Sequence, residues 1–98
     1  MENITITENM GNMTVNEAFE RLVNLINDWT GASETALKFL QAYKKQSDFD
    51  LRLMFKLDYK NKQAVTTLLQ VMGREEYWEI CKLIDLEELK KLEELRRS

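Results

Sequence analysis

Residues 14–43, TVNEAFERLVNLINDWTGASETALKFLQAY, decide the fold class. Thr14 followed by Glu17 is a capping-box pattern, in which a hydroxyl and a carboxylate each satisfy a backbone donor at a helix start. Behind it Phe19, Leu22, Val23 and Ile26 recur at the three-and-four spacing of one helix face, so a first helix is expected from Val15 to Asp28. The stretch Trp29-Thr30-Gly31-Ala32-Ser33 then offers a glycine as a stop and a serine as an N-cap. A second helix follows, with Ala36, Phe39, Leu40 and Tyr43 on its apolar face. Two helices joined by so short a turn lie antiparallel.

Working outward toward the C-terminus, Phe49, Leu51, Leu53, Phe55, Leu57 and Tyr59 alternate with polar residues as a half-buried strand does. The helical reading competes, because Ser47 with Asp50 resembles a capping box and Leu51, Met54 and Phe55 make an i, i+3, i+4 set. A strand over residues 49–57 would find its only local partner in the weak Ile4 to Ile6 alternation, so a short helix or turn is favoured. Asp58 is placed to cap a further helix whose buried stripe is Ala64, Val65, Leu68, Leu69 and Met72, with Gly73 as its stop. From Arg74 onward Tyr77, Ile80, Cys81 and Ile84 share a face. A break is expected near Asp85, which pairs with Glu88 as another capping box. Leucines at 83, 86, 89, 92 and 95 keep a spacing of three, which drifts about 60° per step around a helix and so forms no single straight seam. A final helix from Leu86 to Arg97 is supported by Glu87 to Lys91 and Glu93 to Arg97 at i, i+4. The expected architecture is therefore all-α: residues 1–13 as a flexible arm, then one domain over residues 14–98, a compact bundle of about five helices.

Composition narrows the chemistry. At 98 residues the chain makes a single small domain, and 44% hydrophobic with 32% charged residues is the balance of a globular protein. With no proline and three isolated glycines, neither a repeat architecture nor a phosphate-cradling loop is present. No apolar run reaches the roughly 18 residues of a spanning helix, and the N-terminus lacks a basic segment followed by an apolar one. No membrane role is expected, and the reading is of a cytoplasmic protein. The absence of histidine and the single Cys81 remove imidazole bases, the usual zinc sites and any internal disulfide. Cys81, on an apolar face without a histidine, reads as a small buried hydrophobe. No catalytic, cofactor-binding or metal-binding residue is expected, and the chain is not read as an enzyme. The acidic balance, net −3, opposes unspecific binding to nucleic-acid backbones. Eight acids face four bases in residues 1–50, and nine face ten in residues 51–98.

Two surface readings remain. Residues 26–40, INDWTGASETALKFL, are similar in spacing to a helix-turn-helix motif, but Asn27 stands where that motif packs a small apolar residue. The would-be recognition helix offers only Lys38, Gln41, Lys44 and Lys45, so a plain helical hairpin is favoured. Trp78 lies about 100° off the Tyr77, Ile80, Ile84 face, beside Glu75, Glu79 and Lys82. It either closes the edge of the core or is an exposed anchor for a basic partner protein, with Glu75, Glu76 and Glu79 supplying charge and Tyr59 a second exposed aromatic.

The run Ala18-Phe19-Glu20-Arg21-Leu22, then Thr30-Gly31-Ala32-Ser33, Ala36, Phe39-Leu40 and Ala42, and after a gap Phe49-Asp50-Leu51 with Asp58, resembles an uncharacterised family of short proteins from bacteriophages and mobile elements. The resemblance covers roughly residues 15 to 72 and carries no catalytic residues over. It implies a setting: small, acidic, cofactor-free phage proteins of this kind, anti-CRISPR and other anti-defence proteins among them, act by occupying a surface on a host protein complex. The expected function is thus a non-catalytic protein that binds and blocks or modulates such a complex, through Tyr59, Glu75, Glu76, Trp78 and Glu79. A small helix-turn-helix-like DNA-binding regulator is the alternative, and homodimerisation fits either.

Overall fold

The structure is a computed structural model, and it describes residues 13–97. Five α-helices and one 3-10 helix follow one another: α1 (Val15–Asn27), α2 (Gly31–Lys45), the 3-10 helix (Leu51–Lys56), α3 (Tyr59–Gln70), α4 (Glu75–Leu83) and α5 (Leu86–Arg97). Among the described residues there is no strand, so the all-α bundle stands and the alternation at 49–57 resolves as a 3-10 turn of helix. The alternation has a strand's period, but among the described residues no extended segment pairs with it. The arm expected over residues 1–13 lies outside the described residues except for Met13, which packs half-buried against the core.

Local capping chemistry sets most boundaries. At α1 both halves of the capping box form: the Glu17 N–H donates to Thr14 Oγ1 (3.0 Å) and the Thr14 N–H to Glu17 Oε1 (2.8 Å). The same contacts hold the Glu17 carboxyl below its ordinary pKa. Asp58 accepts the Asn61 N–H (2.9 Å) to start α3, and Asp85 accepts from Glu87 and Glu88 (3.0 and 3.2 Å) to start α5.

The α1–α2 turn departs from its sequence reading. Gly31 is already the first residue of α2, and Thr30, not Ser33, is its N-cap residue. The left-handed backbone falls on Trp29, at φ 58°. Ser33 is fully buried, its hydroxyl donating to the Thr30 carbonyl. A bulky residue in the left-handed region is uncommon and strained, and here it is held from outside. The Arg96 guanidinium lies 5.3 Å from the centre of the Trp29 ring, donates to the Thr30 carbonyl (3.1 Å), and also donates to Ser33 Oγ. The end of α5 is thereby pinned to the α1–α2 turn.

A single apolar cluster gathers Leu22 and Ile26 of α1, Leu37, Phe39, Leu40 and Tyr43 of α2, Val65 and Leu68 of α3, Tyr77 and Ile80 of α4, and Leu89 of α5. The α1 helix packs on α2 and α3, while α2 is also covered by α5 and the 3-10 helix. The stripe expected for α3 is corrected at its end. Ala64, Val65 and Leu68 are buried, but Leu69 and Met72 are exposed, at 47% and 40%. The helix stops at Gln70, and the turn through Gly73, at φ 87°, swings Val71 inward in their place. The leucines from 83 onward separate as their spacing demands: Leu89 is buried, Leu86 and Leu92 half-buried, Leu83 and Leu95 exposed.

Candidate protein-binding surface

The α4 helix is oriented from inside by Tyr77. Its hydroxyl donates to the Tyr43 carbonyl oxygen (2.8 Å) and accepts from Gln46 Nε2 (3.0 Å). The Tyr43 hydroxyl in turn donates to the Leu68 carbonyl (2.7 Å), and the two rings meet edge to face with centroids 4.9 Å apart. Gln46 reaches Tyr77 from the left-handed C-cap of α2, at φ 57°. Burial pushes both phenols above their ordinary pKa, with Cys81 nearby adding to each shift. Cys81 itself is buried on the inner face of α4. The far end of the helix is tied down by Lys44, whose ammonium donates to the Ile84 carbonyl.

With Tyr77 turned inward, a 100° step places Trp78 on the flank of α4. It is 57% exposed, and its ring rests edge-on against Tyr77 with centroids 4.9 Å apart. Both readings of Trp78 thus have a part in the geometry, since one edge closes over Tyr77 while most of the ring meets water. Glu75, Glu76 and Glu79 are exposed on the same helix and, with Arg74, border a shallow hollow of about 480 Å³. Two of the three make loose ion pairs, Glu76 with Arg74 (3.6 Å) and Glu79 with Lys82 (3.8 Å). Solvent-facing pairs of this kind are worth about 0–1 kcal/mol and exchange readily for a partner's cations.

Four of the five residues singled out in the sequence, Glu75, Glu76, Trp78 and Glu79, therefore share one helix. Tyr59 does not join them. It stands exposed at the head of α3, and the twelve residues of that helix, about 18 Å long, separate it from the turn that leads to α4. Sequence reasoning missed Phe55, which at 85% exposure is the most solvent-exposed large hydrophobic residue described. The period of three in a 3-10 helix stacks Phe55 over exposed Arg52 and so leaves it outside, while Leu53 and Met54 are half-buried and Leu51 is exposed at the helix start. The neighbouring Arg52 and Lys56 were the signal for that exposure.

Other features compete less well. A wider hollow of about 770 Å³ between α1 and α3 mixes Glu17, Glu20, Arg21, Asn24 and Lys60, with Arg21 Nε already donating to Asn61 Oδ1 (3.0 Å). The α2 helix, proposed above as a recognition helix, buries Ser33, Thr35, Ala36, Leu37, Phe39, Leu40, Ala42 and Tyr43. Of its lysines, Lys38 pairs with Glu34 (3.4 Å) and Lys44 is spent on Ile84. Among the described residues no three Cys, Asp or Glu side chains converge as metal ligands, and no helix is long and apolar enough to cross a membrane. No family model, curated protein or solved structure matches the chain.

Proposed function

We propose that this chain acts by contact, binding another protein through the outer flank of α4 and performing no chemistry on it. The observation that carries the reading is Trp78: a large aromatic ring left mostly in water, yet fixed in orientation by a buried, doubly hydrogen-bonded neighbour. Interface hot spots are enriched in tryptophan, and a rigid anchor loses little entropy on binding. Glu75 and Glu79 beside it, with Glu76 farther round the same helix, favour a basic partner surface. Together with the resemblance to short phage and mobile-element proteins, this extends to a host protein complex as the partner. In that anti-defence role, the acidic flank occupies a basic groove that otherwise holds nucleic acid.

The test is a comparison of baits. Immobilised wild-type chain, a Trp78→Ala variant and a Glu75→Lys/Glu79→Lys variant, all with unchanged circular dichroism, are exposed to the same bacterial lysate. A protein retained by the first and lost with both variants supports the reading, and retention unaffected by the substitutions dismisses this surface. The competing DNA-regulator reading is checked by titrating duplex DNA at two salt concentrations. A regulator binds with a steep salt dependence, and a protein-binding module of net charge −3 does not.

A further inference from the structure

Beyond the α4 flank, exposed large side chains gather where the 3-10 helix runs into α3. Leu51, Phe55 and Tyr59 are all exposed, the last at 61%. They fall within nine residues of chain, and Phe55 and Tyr59, four apart, are within about 14 Å of each other. The core takes nothing from them, because Leu57 is buried and Leu53 and Met54 half-buried from the same segment. Between and after them stand Lys56, Lys60 and Lys62, all exposed. Of the acids nearby, Asp50 holds Arg52 at 2.8 Å and Asp58 accepts the Asn61 N–H, while Glu17, Glu20 and Asp28 line the hollow that Lys60 borders on its other side. The strip is therefore apolar and basic on a molecule that is acidic overall. Its three large side chains leave about 400 Å² in water, the size of the largest patch on a typical monomer and one that marks a contact surface.

We infer that the occupant of this strip is a second copy of the chain, whose Trp78 flank meets Phe55 and Tyr59 head to tail. The inference rests on the reading of the α4 flank as a contact surface and names a further partner for it. Charge and shape chemistry match on the two patches: Lys56, Lys60 and Lys62 face Glu75, Glu76 and Glu79, and the exposed rings of Phe55 and Tyr59 face that of Trp78. The length of α3 stands between the two patches of one molecule, so they pair between molecules. Such a contact is heterologous, each copy offering a different patch on either side, and it propagates unless it closes into a ring. An apolar area of about 400 Å² is half of what one side of a stable interface buries. Association is accordingly weak, setting in toward about 1 mM and fading as salt screens the lysines and glutamates.

The experiment is sedimentation and light scattering on the full chain, from low concentration to about 1 mM, at low and high salt. Wild type is expected to gain apparent mass with concentration at low salt and to lose most of that gain at high salt. A Lys56→Glu/Lys60→Glu variant and a Glu75→Lys/Glu79→Lys variant are each expected to self-associate at least about tenfold more weakly. Mixed in equal amounts they present an intact strip to an intact flank and a reversed strip to a reversed flank, both pairs opposite in charge, and they are expected to regain the association that each has lost alone. If circular dichroism shows either variant unfolded, Lys56→Gln/Lys60→Gln and Glu75→Gln/Glu79→Gln replace them. A wild type that stays monomeric at low salt overturns the inference, as does self-association that both variants retain, or binding of the strip to anionic vesicles without self-association. Failure here with Trp78-dependent capture of another protein intact leaves the earlier reading standing, and loss of that capture with self-association intact removes the earlier reading alone.

Discussion

Replacing Arg96 with alanine tests whether the C-terminal helix is held to the body of the protein by one side chain. The guanidinium donates to the Thr30 carbonyl and to the hydroxyl of fully buried Ser33, and lies 5.3 Å from the centre of the Trp29 ring. Hydrogen bonds to charged groups contribute about 1.5–3 kcal/mol, and Arg96 is half-exposed, so about 1 kcal/mol for each is appropriate. The ring contact adds about 0.5–1 kcal/mol. Ser33 keeps its own bond to Thr30, so no buried hydroxyl is stranded. The sum is a loss of about 2.5 kcal/mol, a large fraction of the 5–15 kcal/mol that stabilises a domain, and a fall in Tm of about 10–20 °C. Urea unfolding followed by circular dichroism measures it. Arg96→Lys keeps the charge but not the fork that reaches two acceptors, and should recover less than half of the loss. A double-mutant cycle with Ser33→Ala should show coupling of about 0.5 kcal/mol or more. Arg96→Ala within about 0.5 kcal/mol of wild type would refute the account, placing the stability of α5 in its leucines alone.

Three further outcomes are expected. Tyr77→Phe removes a fully buried hydroxyl that bridges Gln46 to the Tyr43 carbonyl and should cost about 1–3 kcal/mol in denaturant unfolding. Gly31→Ala should stabilise by about 0.5 kcal/mol, since the residue is helical and a Cβ there meets nothing within 4 Å. The folded protein holds the Tyr43 and Tyr77 phenols above their ordinary value of 10.0. Their contribution is then whole below pH 10 and is lost as pH rises toward their folded-state values, so unfolding free energy should fall with alkaline pH. Tyr43→Phe/Tyr77→Phe should flatten that fall, and an unchanged slope in the double variant would count against the burial argument.

The helices were legible wherever capping chemistry and apolar period agreed. Thr14 with Glu17, Asp58, and Asp85 each opened a helix where the sequence marked it, and the break before Asp85 followed from leucines that cannot share one seam. The α1–α2 turn was misread because its decisive contact comes from 66 residues away. Gly31 is the residue that fits a left-handed stop, yet Arg96 stabilises Trp29 in that conformation and frees Gly31 to begin the helix. Leu69 and Met72 were misplaced for a related reason: extrapolating a helical stripe past Gln70 ignores the turn that Gly73 imposes. Trp78 was legible from a 100° step off an apolar face. Phe55 was not, because the stretch carries the apolar spacings of both a strand and an α-helix and folds with the 3-10 period of three.

What distinguishes Trp78 from the other exposed apolar residues is the chain of constraints behind it. Gln46 takes a left-handed backbone at the end of α2, and from there its amide reaches the Tyr77 hydroxyl. That hydroxyl is also tied to Tyr43, which is tied to α3 through Leu68, so the roll of α4 about its own axis is set by two other helices, α2 and α3. Fixing Tyr77 inward fixes Trp78 outward, because adjacent helical positions diverge by a set angle. Loosening Gln46 should therefore change the exposed flank without touching it. Gln46→Gly keeps the left-handed cap and deletes the amide. Its expected effect is broadened Trp78 emission with α-helical content retained, read by fluorescence beside circular dichroism in a Trp29→Phe background. Unchanged Trp78 emission would mean that the tryptophan is held by its contact with the Tyr77 ring alone, and that the hydrogen-bonded relay serves stability and not the surface.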